Sequence, residues 1–135
     1  MKETLHILSR VSTSNQSFEE QKVKGMEYSQ RLNMGVKFYD ELCQGNDLKK
    51  RPILQDIFED IESGKIKHLW VKDLSRLTRN QTEKTLFYKI FQDNGVILHT
   101  ENGIVDLDRF ENKLIYEIFD MIQNYEKRKR KTNNE

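Results

Sequence analysis

Apolar positions in this chain follow two rhythms. Four short runs are nearly continuous: Leu5 to Ser9 (LHILS), Val36 to Tyr39 (VKFY), His68 to Val71 (HLWV) and Val96 to His99 (VILH). Short apolar runs bounded by polar punctuation predict strands. Between them the spacing becomes helical. Ser17 with Glu20 fits a capping box, which predicts a helix from Phe18 to about Asn33 with Phe18, Met26 and Leu32 turned inward. Ile53, Leu54, Ile57, Phe58 and Ile61 mark the clearest amphipathic helix, with Pro52 at its first position and Gly64 at its end. Asn80 and Glu83 open a third helix that buries Leu86, Phe87, Ile90 and Phe91 and stops at Gly95. Asn102-Gly103 is a tight turn into a short strand at Ile104-Val105.

From Asp108 a long final helix is predicted, carrying Phe110, Leu114, Ile115, Ile118, Met121, Ile122 and Tyr125 on one stripe. That stripe is wider than a single docked face needs, so a partner chain is expected to cover part of it. Val11 to Ser17 and Glu41 to Lys50 read as polar loops, the second a mobile surface loop; Asp73 to Arg79 reads as a connector.

Strands alternating with helices predict an α/β domain over residues 1–107, with a mainly parallel sheet of four to five strands flanked by helices. Residues 108–135 then form the separate long helix. In such sheets chemistry gathers beyond the carboxyl ends of the strands. That rule points to Arg10–Ser12 after the first strand and to Asp73–Arg79 after the third.

Composition narrows the picture. With 36% hydrophobic and 33% charged residues in 135, the chain suits one compact domain with a real core and is not disordered as a whole. Net charge is only +1, so this is not a general polyanion coat, but Lys127 to Lys131 is an unbroken basic run. Such a run suits phosphate contacts, or simply a solvated helix end. Cys43 is the single cysteine, which excludes an internal disulfide and a cysteine-based zinc site and suits a reducing cytoplasm. The amino terminus has no signal-peptide pattern and no run reaches membrane-spanning length. His6, His68 and His99 lack ligand spacing and read as structural, Trp70 as core, and Cys43 as an incidental loop residue.

The chemistry that the residues themselves suggest is phosphate binding. Arg10 and Ser12 end the first strand, Arg76 and Arg79 stand three apart after the third, and Arg51 precedes a helix whose amides favour anions. Guanidinium groups match phosphate two-pronged and keep their charge. Spacing alone stops at a phosphate-binding α/β domain and does not choose Ser12 over Ser9, Thr13, Ser14 or Ser17.

A family resemblance goes further. Arg10-Val11-Ser12-Thr13 through Ser17-Phe18-Glu19-Glu20-Gln21 resembles the resolvase/invertase signature of the serine site-specific recombinases. Arg51-Pro52 through Gly64 to Asp73-Leu74-Ser75-Arg76-Leu77-Thr78-Arg79-Asn80 is similar to that family's second block, and the final helix with Glu126-Lys127-Arg128 to its dimerisation helix. The resemblance implies a resolvase-like catalytic domain that recombines DNA at specific sites. Ser12 is then the nucleophile, forming a 5′-phosphoserine link to DNA and freeing a 3′-hydroxyl. Arg10, Arg76, Arg79 and Arg51 bind the scissile phosphate, and Gln21 holds the site by hydrogen bonding. Lys127, Arg128 and Arg130 contact DNA. Double-stranded DNA is the implied partner, with a homodimer or homotetramer built through the final helix. No metal and no cofactor are needed, because the phosphoserine bond conserves the energy of the broken linkage. A DNA-reading carboxyl-terminal domain is absent from this chain, so weak DNA binding is expected.

Three departures from the family pattern stand out. Leu8 occupies a common tyrosine position, and Lys127 a common arginine position. The acid expected just before the first connector arginine is Ser75 here, with Asp73 two residues earlier. This last departure leaves the proton-transfer partners unassigned and keeps open a recombinase-like, DNA-associated dimerisation module that does not cut. A flavodoxin- or receiver-like module for a small phosphate ligand is a third reading, disfavoured because no Gly-rich loop follows the first strand.

Overall fold

The computed structural model describes residues 2–13, 17–44, 48–108 and 122. Its elements run β1 (Thr4–Val11), α1 (Glu19–Arg31), β2 (Gly35–Leu42), a 3-10 turn at Leu48–Lys50, α2 (Pro52–Glu62), β3 (His68–Val71), a 3-10 turn at Leu74–Arg76, α3 (Gln81–Asp93), β4 (Ile97–Thr100) and β5 (Gly103–Ile104). One sheet holds all five strands in the order β2-β1-β3-β4-β5. The first four strands are parallel and β5 returns antiparallel to β4. The expected α/β architecture is present. Residues 109–121 and 123–135, which carry most of the predicted final helix and all of the basic run, lie outside the described residues.

β1 lies inside the sheet, between β2 and β3, and is apolar on both sides. Leu5, Ile7 and Trp70 pack with Tyr28 of α1 on one face. Leu8, Leu69, Val71 and Leu98 meet Leu54, Ile57 and Ile61 of α2 and Phe87, Tyr88 and Phe91 of α3 on the other. Each such fully buried side chain contributes about 1.5–3 kcal/mol relative to exposure. α1 lies close against the sheet at Gly25, where an added Cβ would stand 2.9 Å from Ile7 Cδ1 and 3.1 Å from Trp70 Cε3.

Two expectations need correction. α1 begins at Glu19 and ends at Arg31, and Ser17 Oγ accepts from the Glu19 amide at 3.0 Å instead of closing a capping box. Its buried residues are Gln21, Gly25, Tyr28 and Ser29, at helical spacing but mostly small or polar, whereas Leu32 is 46% exposed. Of the three inward candidates, Phe18 and Met26 are half-buried and only Leu32, at the end of the helix, is exposed, so apolar character did not mark the residues that pack most deeply. β2 continues three residues past Tyr39, its register with β1 unbroken from Thr4↔Gly35 to Val11↔Leu42. Glu41 is consequently a strand residue, and Cys43, just after the strand, is buried with its amide donating to the Val11 carbonyl at 3.0 Å. Neither belongs to a mobile loop.

The other helix signals match the observed elements. Pro52 opens α2, Gly64 follows it at φ +80°, and Asn80 caps α3 by accepting from the Glu83 amide at 2.9 Å. Among the described residues, no helix is long and apolar enough to cross a membrane.

Candidate active site

β1 is longer than β3. Its residue Leu8 pairs with Val71, the last of β3, so Ser9 to Ser12 continue alongside the connector that begins at Lys72. This offset brings two distant sequence segments together at the carboxyl edge of the sheet.

Arg10 is the junction. Its amide donates to Gln21 Oε1 at 3.0 Å, and its carbonyl accepts from Gln21 Nε2 at 2.9 Å. The buried amide of Gln21 thus serves Arg10 as a neighbouring strand would. The Arg10 guanidinium donates to the Ser75 carbonyl at 2.9 Å, and the Arg76 guanidinium donates back to the Arg10 carbonyl at 3.1 Å. Each arginine side chain grips the main chain beside the other. Burial, followed by the charges of Arg51 and Arg76, lowers the Arg10 pKa. Guanidinium nonetheless stays charged at any physiological pH.

Arg51 has a different position from the one expected of a phosphate ligand. It is 1% exposed and its Nε donates to Glu41 Oε1 at 2.7 Å. Its remaining nitrogens donate to the Leu77 carbonyl and, at 2.8 Å, to the Arg76 carbonyl. The other oxygen of Glu41 accepts from the Leu54 amide at 3.0 Å, in the first turn of α2. A buried ion pair persists when its remaining hydrogen-bonding capacity is met, as here. The pair fastens β2, α2 and the connector together, and in this arrangement Arg51 shapes the site through the connector's carbonyls.

Ser12 is half-buried, one residue past β1 and two past Arg10. With Thr13, Leu42, Cys43, Gln44 and Lys50 it lines an open cleft of about 480 Å³. Arg79 is exposed at the end of the connector, and among the described residues nothing bonds its guanidinium. Lys127, Arg128 and Arg130 lie outside the described residues. The structure therefore joins Arg10, Gln21, Arg51 and Arg76 in one bonded group, with Ser12 beside it and Arg79 apart from it. Sequence reasoning missed Glu41 and Cys43, because β2 was ended too early, and missed Lys50 as a cationic wall of the Ser12 cleft. An acid next to the last residue of a strand is a weak signal without the register.

The fold is thus an α/β domain whose mainly parallel sheet has arginines and a serine at its carboxyl edge. The pattern of the family described as Resolvase, N terminal domain matches residues 6–135. The chain belongs to that family. It is similar in structure to the N-terminal catalytic domain of TP901-1 integrase, with a TM-score of 0.65, 24% identity, and 93% of this chain and 98% of that one covered. It is also similar to a resolvase family site-specific recombinase from Streptococcus pneumoniae, with a TM-score of 0.65, 25% identity, and coverage of 98% and 93%. The C-terminal catalytic domain of ISC1926 TnpA, an IS607-like serine recombinase, matches with a TM-score of 0.65 at 20% identity over 88% of this chain and 79% of that one. A search of curated proteins returned no match.

Proposed function

We propose that this chain is the catalytic domain of a serine recombinase that cuts and rejoins double-stranded DNA at specific sites. The observation that carries the reading is the reciprocal grip of Arg10 and Arg76 at the strand end that bears Ser12. Ser12 Oγ attacks a DNA phosphorus, the bond to the 3′ oxygen breaks, and a 5′-phosphoserine forms. The serine gives up its proton and the departing 3′ oxygen gains one. Rejoining reverses these steps with a new 3′-hydroxyl, so no high-energy cofactor is consumed.

Attack places extra negative charge on the non-bridging phosphate oxygens. Guanidinium groups fixed in advance stabilise that charge without reorganising, each worth about 3–4 kcal/mol of barrier. The same field favours the serine alkoxide. Arg10 and Arg76 are already held by main-chain bonds, whereas exposed Arg79 joins when DNA arrives. Gln21 and Arg51 act as positioning residues. Lys127, Arg128 and Arg130 contact flanking phosphates, and the apolar stripe of residues 110–125 assembles dimers or tetramers. The site of action is DNA in the cytoplasm.

Incubating the chain with supercoiled plasmids carrying randomised inserts, then denaturing, tests the proposal. A protein–DNA adduct that resists denaturation is expected from the unaltered chain and is expected to vanish in Ser12→Ala. Adduct persisting in Ser12→Ala would remove the nucleophile assignment. If the unaltered chain forms none while still binding DNA, the non-cutting module is the better reading.

A further inference from the structure

We infer that Asp73 is a positioning residue that aims both site arginines, acting from two places upstream of where the family pattern leads one to look for an acid. The inference rests on the recombinase reading above and adds a role to a residue which that reading leaves unused.

The connector after β3 is a single 3-10 turn, Leu74–Arg76, closed by Arg76 N to Asp73 O at 3.1 Å and Leu77 N to Leu74 O at 3.1 Å. A turn that short has little stability of its own. Asp73 precedes it in extended conformation and folds its side chain back over it. Oδ1 accepts from the Ser75 amide at 3.1 Å and also from the Ser75 hydroxyl. Oδ2 faces Arg76 Nε at 3.6 Å. One carboxylate therefore holds the dipeptide Ser75-Arg76 at both residues. This is the dipeptide that exchanges bonds with Arg10, through the Ser75 carbonyl in one direction and the Arg76 guanidinium in the other.

Comparing the contacts decides which one matters. The Asp73 side chain is 44% exposed, and at 3.6 Å its pairing with Arg76 is an exposed ion pair of small worth. The two bonds to Ser75 fix the main chain that Arg10 grips, so they carry the positioning. A second consequence follows for Ser75. With its hydroxyl proton directed at Asp73, Ser75 is not aimed to protonate a leaving oxygen, so the serine at this position serves as a link between the acid and the turn.

The test uses the whole 135-residue chain and three variants, Asp73→Asn, Asp73→Ala and Ser75→Ala. Two readouts are taken: the rate of adduct formation on the randomised plasmids, and the nitrogen–proton NMR signals of the Arg10 and Arg76 guanidinium groups. In the unaltered chain the held guanidiniums should show separate, slowly rotating NH signals. In Asp73→Ala these should merge, and the adduct rate should drop about 10- to 100-fold, the scale of a small misplacement, with half-saturating DNA concentration unchanged. Asn keeps an oxygen acceptor for both Ser75 donors, so Asp73→Asn should recover the rate to within about threefold of the unaltered chain. Ser75→Ala, which loses only the hydroxyl link, should fall between.

If Asp73→Ala leaves both readouts unchanged, the inference is wrong. Asp73→Asn as damaged as Asp73→Ala would also overturn it, since charge and not the grip on Ser75 would then be the cause. Should Asp73→Ala fail to fold, the Asn and Ser75→Ala variants still decide the order. Absence of adduct from the unaltered chain would sink the recombinase reading alone, because the guanidinium signals report the positioning without any reaction.

Discussion

The side-chain amide of Gln21 hydrogen-bonds both main-chain polar atoms of Arg10, at 3.0 and 2.9 Å, from a helix on the opposite side of a loop. On the β3 side, where strand pairing stops at Leu8, α1 thereby takes over the main-chain bonds of Arg10, while pairing with β2 continues to Val11. Substituting Gln21→Leu leaves the Arg10 carbonyl to Arg76 but orphans the Arg10 amide in a buried setting. A loss of about 1–3 kcal/mol in urea unfolding is expected. A change below about 0.5 kcal/mol would mean that the amide finds water or another acceptor.

Breaking the Glu41–Arg51 pair should cost more. Either Glu41→Ala or Arg51→Ala strips a buried partner, and about 3–5 kcal/mol of unfolding free energy is expected to go. Because each single change leaves the other charge uncompensated, the double variant should lose clearly less than the two losses combined. Denaturant titration of the four proteins measures this coupling, and strict additivity would contradict the pairing.

Arg79 offers the opposite behaviour. It is exposed, so Arg79→Ala should leave stability within about 0.5 kcal/mol. On the proposed mechanism the same change slows adduct formation by roughly a hundredfold or more. A full-rate Arg79→Ala variant would take this residue out of the phosphate clamp.

The amino-terminal half of the sheet carries a pH-sensitive element. Tyr28 Oη meets His99 Nδ1 at 2.8 Å, His99 Nε2 meets His68 Nδ1 at 3.0 Å, and His68 Nε2 meets Glu3 Oε2 at 2.7 Å. With both imidazoles neutral and protonated on Nε2, every bond in the chain has one donor and one acceptor, all running from Tyr28 toward Glu3. An extra proton on His99 would break that order. Burial, followed by the neighbouring His68, lowers the His99 pKa from 6.5 to about 4. The unfolded chain then takes up a proton near pH 6.5 that the folded chain refuses until about pH 4. The stability from this group is complete above pH 6.5 and declines as pH falls toward 4, by something like 3 kcal/mol. Comparing unfolding of the unaltered chain and His99→Gln from pH 7 to 4.5 should show a flatter profile for the variant. Parallel profiles would rule out His99 as the source.

How much of this could be read from residues alone differs by element. The strands β1, β3 and β4 and the helices α2 and α3 were legible because their burial is apolar and their ends carry chemical stops, as at Pro52, Gly64 and Asn80. α1 was legible as a helix, but its most deeply buried residues were not. Gln21, Gly25 and Ser29 are buried because they bond to the main chain or allow close approach, and neither use appears as hydrophobicity. The last residues of β2 were hidden for a related reason. A buried glutamate looks like loop until its arginine is found, and Glu41 meets Arg51 only across the fold.

By itself, the sequence determined the alternation of strands and helices and placed Arg10–Ser12 and Asp73–Arg79 at the carboxyl ends of the first and third strands, since these follow from local periodicity and strand direction. Only the tertiary structure decided which acceptors each arginine meets. Arg51 bonds Glu41 and two carbonyls, Arg10 donates to the Ser75 carbonyl while Arg76 donates to the Arg10 carbonyl, and Arg79 stands exposed. A guanidinium's role depends on which acceptors surround it, and acceptors drawn from 10 to 66 residues away are set by packing, which no local pattern encodes.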